Sequence, residues 1–265
     1  MSLCSIHAKR GDPGPTTLRP TSGTIRVQGL DVVDESDAVR QVIGVVFQQS
    51  LLDPLLSVRE NLAVRDGFYG FRRRDAAHRI AELSELVGFG DVLDRRYGLL
   101  SGGQKRRADI ARAIIHRPRA VFLDEPTVGL DPQSREQIRS AIAQLQEDHA
   151  MTVFLTTHYM EETERADQVC IIDRGEIVAE GTPAHLRSIH SSSVLTVRVP
   201  DVAAFLAERR TRGLPAEQIG DVVRISVESI EQARSVLVSP QITDFEFRHG
   251  TMDDVFLNVT GGRSA

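Results

Sequence analysis

The stretch that decides the fold runs from Leu100 to Pro132 and reads LSGGQKRRADIARAIIHRPRAVFLDEPTVGLDP. A Ser-Gly-Gly turn opens a predicted helix, an apolar strand follows, and Asp124 and Glu125 come directly after the apolar residues of that strand. Glycines let backbone N–H groups approach an anion, and a helix N-terminus carries partial positive charge. The stretch therefore predicts a phosphate-facing helix start beside carboxylates that can bind a metal ion or accept a proton.

Polar side chains also follow two other predicted strands. Gln48 comes after IGVVF, and His158 comes after TVFLTT. Ligands of open α/β sheets bind at the carboxyl ends of the strands, so we expect both side chains to lie near the acidic pair. Each candidate has an ordinary structural alternative, because Ser101 and Asp131 are good helix caps and polar side chains commonly end strands. The order and spacing of the motifs, rather than any single one, favour phosphoryl chemistry.

Strands and helices alternate along most of the chain, which predicts an α/β fold with a mostly parallel sheet covered by helices. Ser57 and Glu60 have the spacing of a helix capping box. The basic runs Arg72-Arg73-Arg74 and Lys105-Arg106-Arg107 are interpreted as solvated helix faces. We predict strands at 24–28, 42–47, 120–123, 152–156, 168–173 and 176–179, and helices from 57 and at 75–87, 103–116, 134–148 and 161–166.

The polar run from His190 to Ser193 marks the predicted domain boundary. We expect an irregular segment at 1–23, an α/β domain at 24–189 with a helical subdomain at about 57–112, and a small α+β domain at 190–265. In the last domain we predict strands at 194–199, 222–227 and 242–247, helices at 202–212 and 230–238, and a final helix from about residue 251.

Composition narrows the class of protein. The 265 residues carry a net charge of −5, which disfavours general nucleic-acid binding because that usually needs a basic face. The two cysteines, Cys4 and Cys170, are too few for a disulfide framework, so we expect the reducing cytoplasm. No apolar run approaches the ~20 residues that span a bilayer. We therefore expect any membrane role to depend on a partner.

The motifs taken together resemble the ABC (ATP-binding cassette) ATPase family. The resemblance rests on LSGGQ, a strand ending in Asp-Glu-Pro-Thr, the GLDP turn and a strand ending in His158, and IGVVFQQ is similar to the family's Q-loop. It covers about residues 20–185. The C-terminal TMDDVFLNVTG resembles the daunorubicin-resistance type of drug-export ATPase subunit. This implies a P-loop NTPase-like core, truncated at its N-terminus, with a small α+β appendage.

The resemblance also implies roles for individual residues. Asp124 would bind Mg²⁺, with Gln48 sensing the metal and the attacking water. Glu125 would be the general base, and His158 would contact the γ-phosphate. Contacts to ATP held by the opposite subunit are implied for the turn at the start of the helix and for the GLDP aspartate: Ser101, Gly102, Gly103, Gln104 and Asp131.

The resemblance also implies two kinds of partner protein, a second ATPase subunit and a membrane permease. Two ATPase subunits would close head-to-tail over two nucleotides, and a separate membrane permease would move the drug or antibiotic. The subunit would be cytoplasmic and peripheral on the inner face of the cell membrane, with ATP and Mg²⁺ as ligands. A non-hydrolysing regulatory or structural half of a heterodimer is the alternative. A soluble member acting on ribosomes or DNA is disfavoured, because there is one cassette without basic arms.

The chain departs from the family at the phosphate loop. No GxxxxGK[ST] occurs in the sequence, and GDPGPTTLRPTSG places Pro15 where the lysine would stand. That loop normally cradles the phosphates, neutralises charge and holds Mg²⁺, and Lys9 is a poor substitute. We therefore expect the ATP site that this chain itself forms to be defective. Two interpretations are open. The favoured one is an incomplete or frame-altered form of a normal subunit, and the other is a degenerate subunit.

Overall fold

The computed structural model describes residues 19–67, 73–149, 151–211, 213–227 and 229–261. Most of the predicted irregular segment 1–23 lies outside these residues, together with Cys4, Lys9, Pro15 and Arg72. The chain divides into two compact units, the first ending at His158 and the second beginning at Tyr159.

The first unit is a three-stranded parallel sheet with helices between its strands, which confirms the α/β prediction. Its strand order is β3 (Ile43–Val46), β4 (Ala120–Asp124), β5 (Thr152–Thr156), with Ile43 beside Ala120 and Ala120 beside Thr152. In chain order the unit contains β1 (Arg26–Val27), β2 (Leu30–Asp31), α1 (Ser36–Val42), β3 (Ile43–Val46), α2 (Val58–Gly67), α3 (Arg73–Val87), α4 (Gly102–Ile114), β4 (Ala120–Asp124), α5 (Pro132–His149) and β5 (Thr152–Thr156).

One face of this sheet carries the main core of the unit. Alternate strand residues such as Val121 and Leu123 are buried in the same cluster as Ile110 and Ile114 of α4. Helix α4 lies so close to the sheet that a Cβ at Gly44 would stand 2.2 Å from the carbonyl oxygen of Ala113. Position 44 therefore requires glycine for this approach.

A smaller cluster covers the other face. Val32, Val39 and Ile43 are buried there, with Phe122 packed against them. The rings of Phe122 and Phe154 stack on this face, with centroids 4.8 Å apart. Helix α1 was not predicted because its seven residues bury only Val39, so it has no apolar stripe.

The helices that precede residue 101 follow the prediction closely. Ser57 and Glu60 form the expected reciprocal bonds, with Glu60 N–H donating to Ser57 Oγ and Ser57 N–H to Glu60 Oε2. The apolar face of α3 buries Ile80, Leu83 and Val87. Among the described helices, none combines the length and the apolar character that crossing a lipid bilayer requires.

The second unit combines a β-hairpin, a four-stranded antiparallel sheet and several helices. The sheet order is β11 (Asp244–Arg248), β8 (Ser193–Arg198), β10 (Val222–Val227), β9 (Ala216–Ile219). Leu195, Phe205 and Ile225 lie in its core. In chain order the unit contains α6 (Met160–Thr163), β6 (Val169–Asp173), β7 (Glu176–Gly181), α7 (Pro183–His190), β8 (Ser193–Arg198), α8 (Val202–Thr211), β9 (Ala216–Ile219), β10 (Val222–Val227), α9 (Ile230–Leu237), β11 (Asp244–Arg248) and α10 (Met252–Gly261).

Helix α7 is the main element of this unit that the sequence patterns do not predict. Thr182 accepts the His185 N–H, and Pro183 occupies the first helical position, which is a recognisable helix start. The β6–β7 hairpin, α7 and α10 share one cluster that includes Val169, Leu186 and Val255. The domain boundary at 189/190 stays a prediction.

Candidate functional site

Three of the predicted side chains meet at the carboxyl ends of the parallel strands. Glu125, the residue after β4, lies between Gln48 and His158. The imidazole Nδ1 of His158 is 3.2 Å from Glu125 Oε1, and the amide Nε2 of Gln48 is 3.5 Å from Glu125 Oε2. Each oxygen of this carboxylate therefore faces one of the other two candidates, as the strand-end rule predicted.

The backbone at Glu125 is unusual. Its φ is +44°, in the left-handed region that non-glycine residues seldom occupy. The N–H of Glu125 donates to both the carbonyl and the hydroxyl oxygen of Thr156, each at 3.1 Å. The hydroxyl of Thr156 donates in turn to Asp124 Oδ1 at 2.6 Å. Thr156 thus ties both acidic residues to β5, and the sequence analysis did not single it out.

The acidic pair does not form a metal site by itself. Across the described ranges, no group of three or more His, Cys, Asp and Glu side chains is arranged to hold a metal ion. Mg²⁺ commonly keeps several waters and takes only one or two carboxylates together with substrate phosphates. Oxygen ligands such as Asp124 and Gln48 would suit Mg²⁺ where a phosphate group completes the ligand set, and this role stays a prediction.

The turn from Ser101 to Gln104, called here the Ser101 turn, forms a capping box at the start of α4. Gln104 N–H donates to Ser101 Oγ at 3.3 Å, and Ser101 N–H donates to Gln104 Oε1 at 3.0 Å. Ser101 is therefore a helix cap, which is the structural alternative to a phosphate contact. Both side chains use acceptor oxygens in the cap, so the Ser101 O–H and the Gln104 amide N–H groups remain as donors. Such donors suit an anion.

The two glycines of the Ser101 turn differ in their surroundings. A Cβ at Gly103 would stand 2.4 Å from Ser134 Oγ, whereas one at Gly102 would meet Leu130 Cδ2 at 3.4 Å. Gly103 is buried and allows the start of α4 to approach the start of α5. A nucleotide contact from Gly103 stays a prediction.

Asp131 caps α5, which is the structural alternative considered for the GLDP turn. Its Oδ1 accepts the Ser134 N–H at 2.9 Å. Hydrogen bonds from the side chain and the backbone of Ser134 lower the pKa of this carboxyl. A second role for Asp131 across a dimer stays a prediction.

Arg106 is buried, so the prediction of a solvated helix face for the run Lys105-Arg106-Arg107 is wrong at this residue. Arg106 is only 8% exposed. Its guanidinium donates to three backbone carbonyls, those of Pro126 at 2.9 Å, Asp124 at 2.6 Å and Phe47 at 2.5 Å. Burial lowers the pKa of Arg106, and the negative charge of Asp109 opposes that shift. A basic run on an amphipathic helix gives no signal that one arginine points inward.

A buried polar network lies beside α4. Asp109 accepts hydrogen bonds from the Ser50 hydroxyl at 2.6 Å and from the Tyr97 hydroxyl at 3.1 Å. Burial raises the pKa of the Asp109 carboxyl, and it also raises the pKa of Tyr97. The network attaches the segment after Gln48 to the middle of α4.

Comparisons with known proteins point in one direction. The family model described as ABC transporter matches residues 16–128. The chain is 38% identical over 258 residues to the daunorubicin/doxorubicin resistance ATP-binding protein DrrA of Streptomyces peucetius, covering 93% of this chain and 78% of the relative. It is 37% identical to the Nod factor export ATP-binding protein I of Burkholderia orbicola, covering 91% and 80%. It is 34% identical to the linearmycin resistance ATP-binding protein LnrL of Bacillus subtilis, covering 91% and 81%.

Two solved structures are similar in fold. The ATP-binding cassette MJ0796, solved as a dimer in a post-hydrolysis state bound to ADP and Pi, gives a TM-score of 0.57 at 27% identity. That match covers 63% of this chain and 76% of the other. CbiO1 from Clostridium perfringens, part of the ABC transporter complex CbiONQ, gives a TM-score of 0.60 at 26% identity, covering 64% and 70%.

Proposed function

We propose, on the premise that this chain belongs to the ABC transporter family, that it is the ATP-binding subunit of an exporter of a drug or antibiotic. Relatives named for daunorubicin/doxorubicin resistance, linearmycin resistance and Nod factor export support the export function. A separate membrane permease would carry the substrate, and this chain would attach to it on the inner face of the cell membrane.

The observation that carries the proposal is the placement of Glu125 between Gln48 and His158. Glu125 would accept a proton from the water that attacks the γ-phosphate of ATP. Gln48 and His158 would hold its two oxygens and orient that water. Asp124 would hold Mg²⁺, which when bound neutralises charge on the phosphates.

The Ser101 turn would serve a nucleotide held by a second ATPase subunit. The donor hydrogens of Ser101 and Gln104 that take no part in the capping box support this role, together with the partial positive charge of the helix start. Gly102 and Gly103 would add close backbone approach, and Asp131 would act across the same dimer. The functional assembly would then contain two ATPase subunits, each completing the site of the other.

No GxxxxGK[ST] phosphate loop occurs in these 265 residues. The sequence contains two lysines, Lys9 and Lys105. Lys105 lies on α4, with Nζ 5.7 Å from the centre of the Tyr97 ring, and is not in a glycine-rich loop. We therefore propose that these 265 residues alone bind nucleotide weakly and do not turn over ATP.

A second candidate function follows from the same residues. The chain would be the non-hydrolysing half of a heterodimer and donate its Ser101 turn to the complete site of a partner subunit. The intact capping box of the Ser101 turn, in a sequence of 265 residues that contains no GxxxxGK[ST], favours this alternative. In the first candidate the general base of turnover is Glu125 of this chain. In the second it belongs to the partner subunit.

Two variants separate these candidates. The full chain would be assayed for ATP hydrolysis alone and then with its permease and a second ATPase subunit, using Glu125→Gln and Ser101→Asp. Turnover by the isolated chain that Glu125→Gln abolishes would disprove the proposed defect of its own site. In a heterodimer, a donor half loses turnover with Ser101→Asp and keeps it with Glu125→Gln. Loss with both variants would show that this chain hydrolyses ATP itself within the assembly.

A further inference from the structure

Arg106 holds the backbone on both sides of the proposed general base. Its guanidinium binds the carbonyl oxygens of Asp124 and Pro126, which are the residues immediately before and after Glu125. Glu125 has the left-handed backbone described above, and such a conformation persists only where its surroundings fix it. One buried side chain thus supplies part of that restraint.

The third bond of the same guanidinium reaches the residue that follows β3. It goes to the carbonyl of Phe47, the residue before Gln48. The backbones that carry Gln48 and Glu125 are therefore fixed to one planar group. Arginine offers five N–H donors spread over a rigid planar fork, whereas the three donors of lysine all lie on one nitrogen and cannot span three separated carbonyls.

Helix α4 links this group to the Ser101 turn. Arg106 lies two residues beyond the capping box, and close contacts at Gly103 and Gly44 leave the helix little room to shift independently of α5 and the sheet. A displacement of the helix start would therefore move the guanidinium and the carbonyls that it holds. An α-helix transmits such a movement because its backbone hydrogen bonds resist local stretching.

We propose that Arg106 is a positioning residue that couples the Ser101 turn, in contact with the partner subunit's nucleotide, to Glu125 and Gln48 of its own chain. The proposal rests on the proposed function for the role of the Ser101 turn. The restraint on Glu125 and Gln48 is a separate element and can be tested without nucleotide. Each site of a dimer would in this way sense whether the other is filled.

Hydrogen exchange on the full chain tests the restraint. We expect Arg106→Lys to raise amide exchange about tenfold in peptides covering 44–50 and 122–130. Exchange in 193–227 should stay unchanged, because those residues belong to the other unit. Arg107→Lys is the matched control, since Arg107 is the next residue on the same helix and, within the described part of the chain, holds no backbone carbonyl.

The outcomes are decisive in each direction. The proposal is supported if amide exchange rises only in the peptides covering 44–50 and 122–130 of Arg106→Lys and does not rise in Arg107→Lys. Equal exchange in the two variants, or a uniform increase over both units, overturns it, since Arg106 would then be an ordinary core residue. Arg106→Gln is judged by the same criteria if Arg106→Lys does not fold, and failure of both variants to fold also rejects the positioning role.

A second measurement addresses the coupling. In the assembly with the permease and a second ATPase subunit, the ATP analogue AMP-PNP should protect 101–106 and 122–130 together. Arg106→Lys should keep the first protection and lose the second. Joint protection that survives Arg106→Lys overturns the coupling. Absence of any protection at 101–106 counts instead against the proposed function, while the exchange of the nucleotide-free chain still reports the restraint.

Discussion

The hydroxyl of Thr156 donates a hydrogen bond of 2.6 Å to Oδ1 of Asp124, which joins the ends of β4 and β5 beside the proposed base. The same hydroxyl oxygen accepts the backbone N–H of Glu125. A single side chain from β5 therefore orients the carboxylate proposed for Mg²⁺ and supports the left-handed residue after it.

Thr156→Val should destabilise the chain by about 1–2 kcal/mol, because valine keeps the shape but loses a hydrogen bond to a charged acceptor. Thr156→Ser retains the hydroxyl and should cost less than half of that. Urea unfolding of the three proteins measures the difference. Equal stabilities for the valine and serine variants would mean that the hydroxyl contributes nothing.

Ser101→Asp should separate capping from phosphate binding. Aspartate caps a helix as well as serine does, so the melting temperature should stay within about 2 °C. The added negative charge would face the phosphate of the partner's nucleotide, where like charges cost several kcal/mol. We expect turnover of the assembled exporter to fall roughly a hundredfold, since each 1.4 kcal/mol is a factor of ten.

The matched control for that variant is Ser229→Asp. Ser229 caps α9 in the second unit, where its Oγ accepts the Gln232 N–H at 3.2 Å. It should leave both stability and turnover unchanged. A similar loss of turnover in both variants would indicate a general effect of charge rather than a nucleotide contact at Ser101.

Gly103→Ala should destabilise the chain although alanine is the better helix former. The new methyl group would stand 2.4 Å from Ser134 Oγ, and overpacking of this kind costs about 1–3 kcal/mol. Gly102→Ala, with 3.4 Å to Leu130 Cδ2, should be neutral or slightly stabilising. Thermal unfolding compares the two.

Ser134→Gly in the Gly103→Ala background should restore most of the lost stability, since it removes both side-chain atoms that the new methyl group would meet. No recovery in this double variant would place the cause of the loss elsewhere.

His116 should make the chain sensitive to mild acid. Burial lowers its pKa to about 4, while a hydrogen bond of 2.9 Å between Nε2 and the carbonyl of Ile43 opposes the shift. The unfolded chain, with an ordinary histidine pKa of about 6.5, binds more protons between these values. The free energy of unfolding should therefore fall as the pH drops from about 6.5 to about 4, by on the order of 3 kcal/mol, and this group adds no further loss below that range.

His116→Gln should remove that slope, because a glutamine amide can donate to the Ile43 carbonyl without titrating. Exposed His78 provides the control, and His78→Gln should keep the slope. Denaturant unfolding at several pH values decides the point, and an unchanged slope in His116→Gln would assign the acid sensitivity to other groups.

Much of the fold followed from local patterns. The apolar runs ending at Gln48, Asp124 and His158 predicted three neighbouring strand ends, and parallel pairing then placed the side chains together. The strands at 152–156 and 222–227 match the observed bounds, because alternating or continuous apolar residues define them. These features depend on periodicity, which a sequence displays directly.

The rest depends on contacts that a sequence does not display. Arg106 and Arg107 look alike in a basic run, and only the three-dimensional approach of Phe47 and Asp124 distinguishes them. Strand β9 has a polar sequence and forms by pairing with β10 at the sheet edge. The left-handed conformation of Glu125 likewise carries no local signal, since it is imposed by Thr156 and Arg106 across the sheet.

Gly44 shows how small a feature can set the geometry of this site. The absence of a methyl group there lets α4 lie directly on the sheet, and this distance determines whether the guanidinium of Arg106 reaches the carbonyls at the strand ends. A substitution at position 44 would appear as an effect on chemistry although the residue touches no candidate group. In a survey of variants with altered activity, a glycine in the sheet would thus be a sensitive position, and one that inspection of the candidate site residues would overlook.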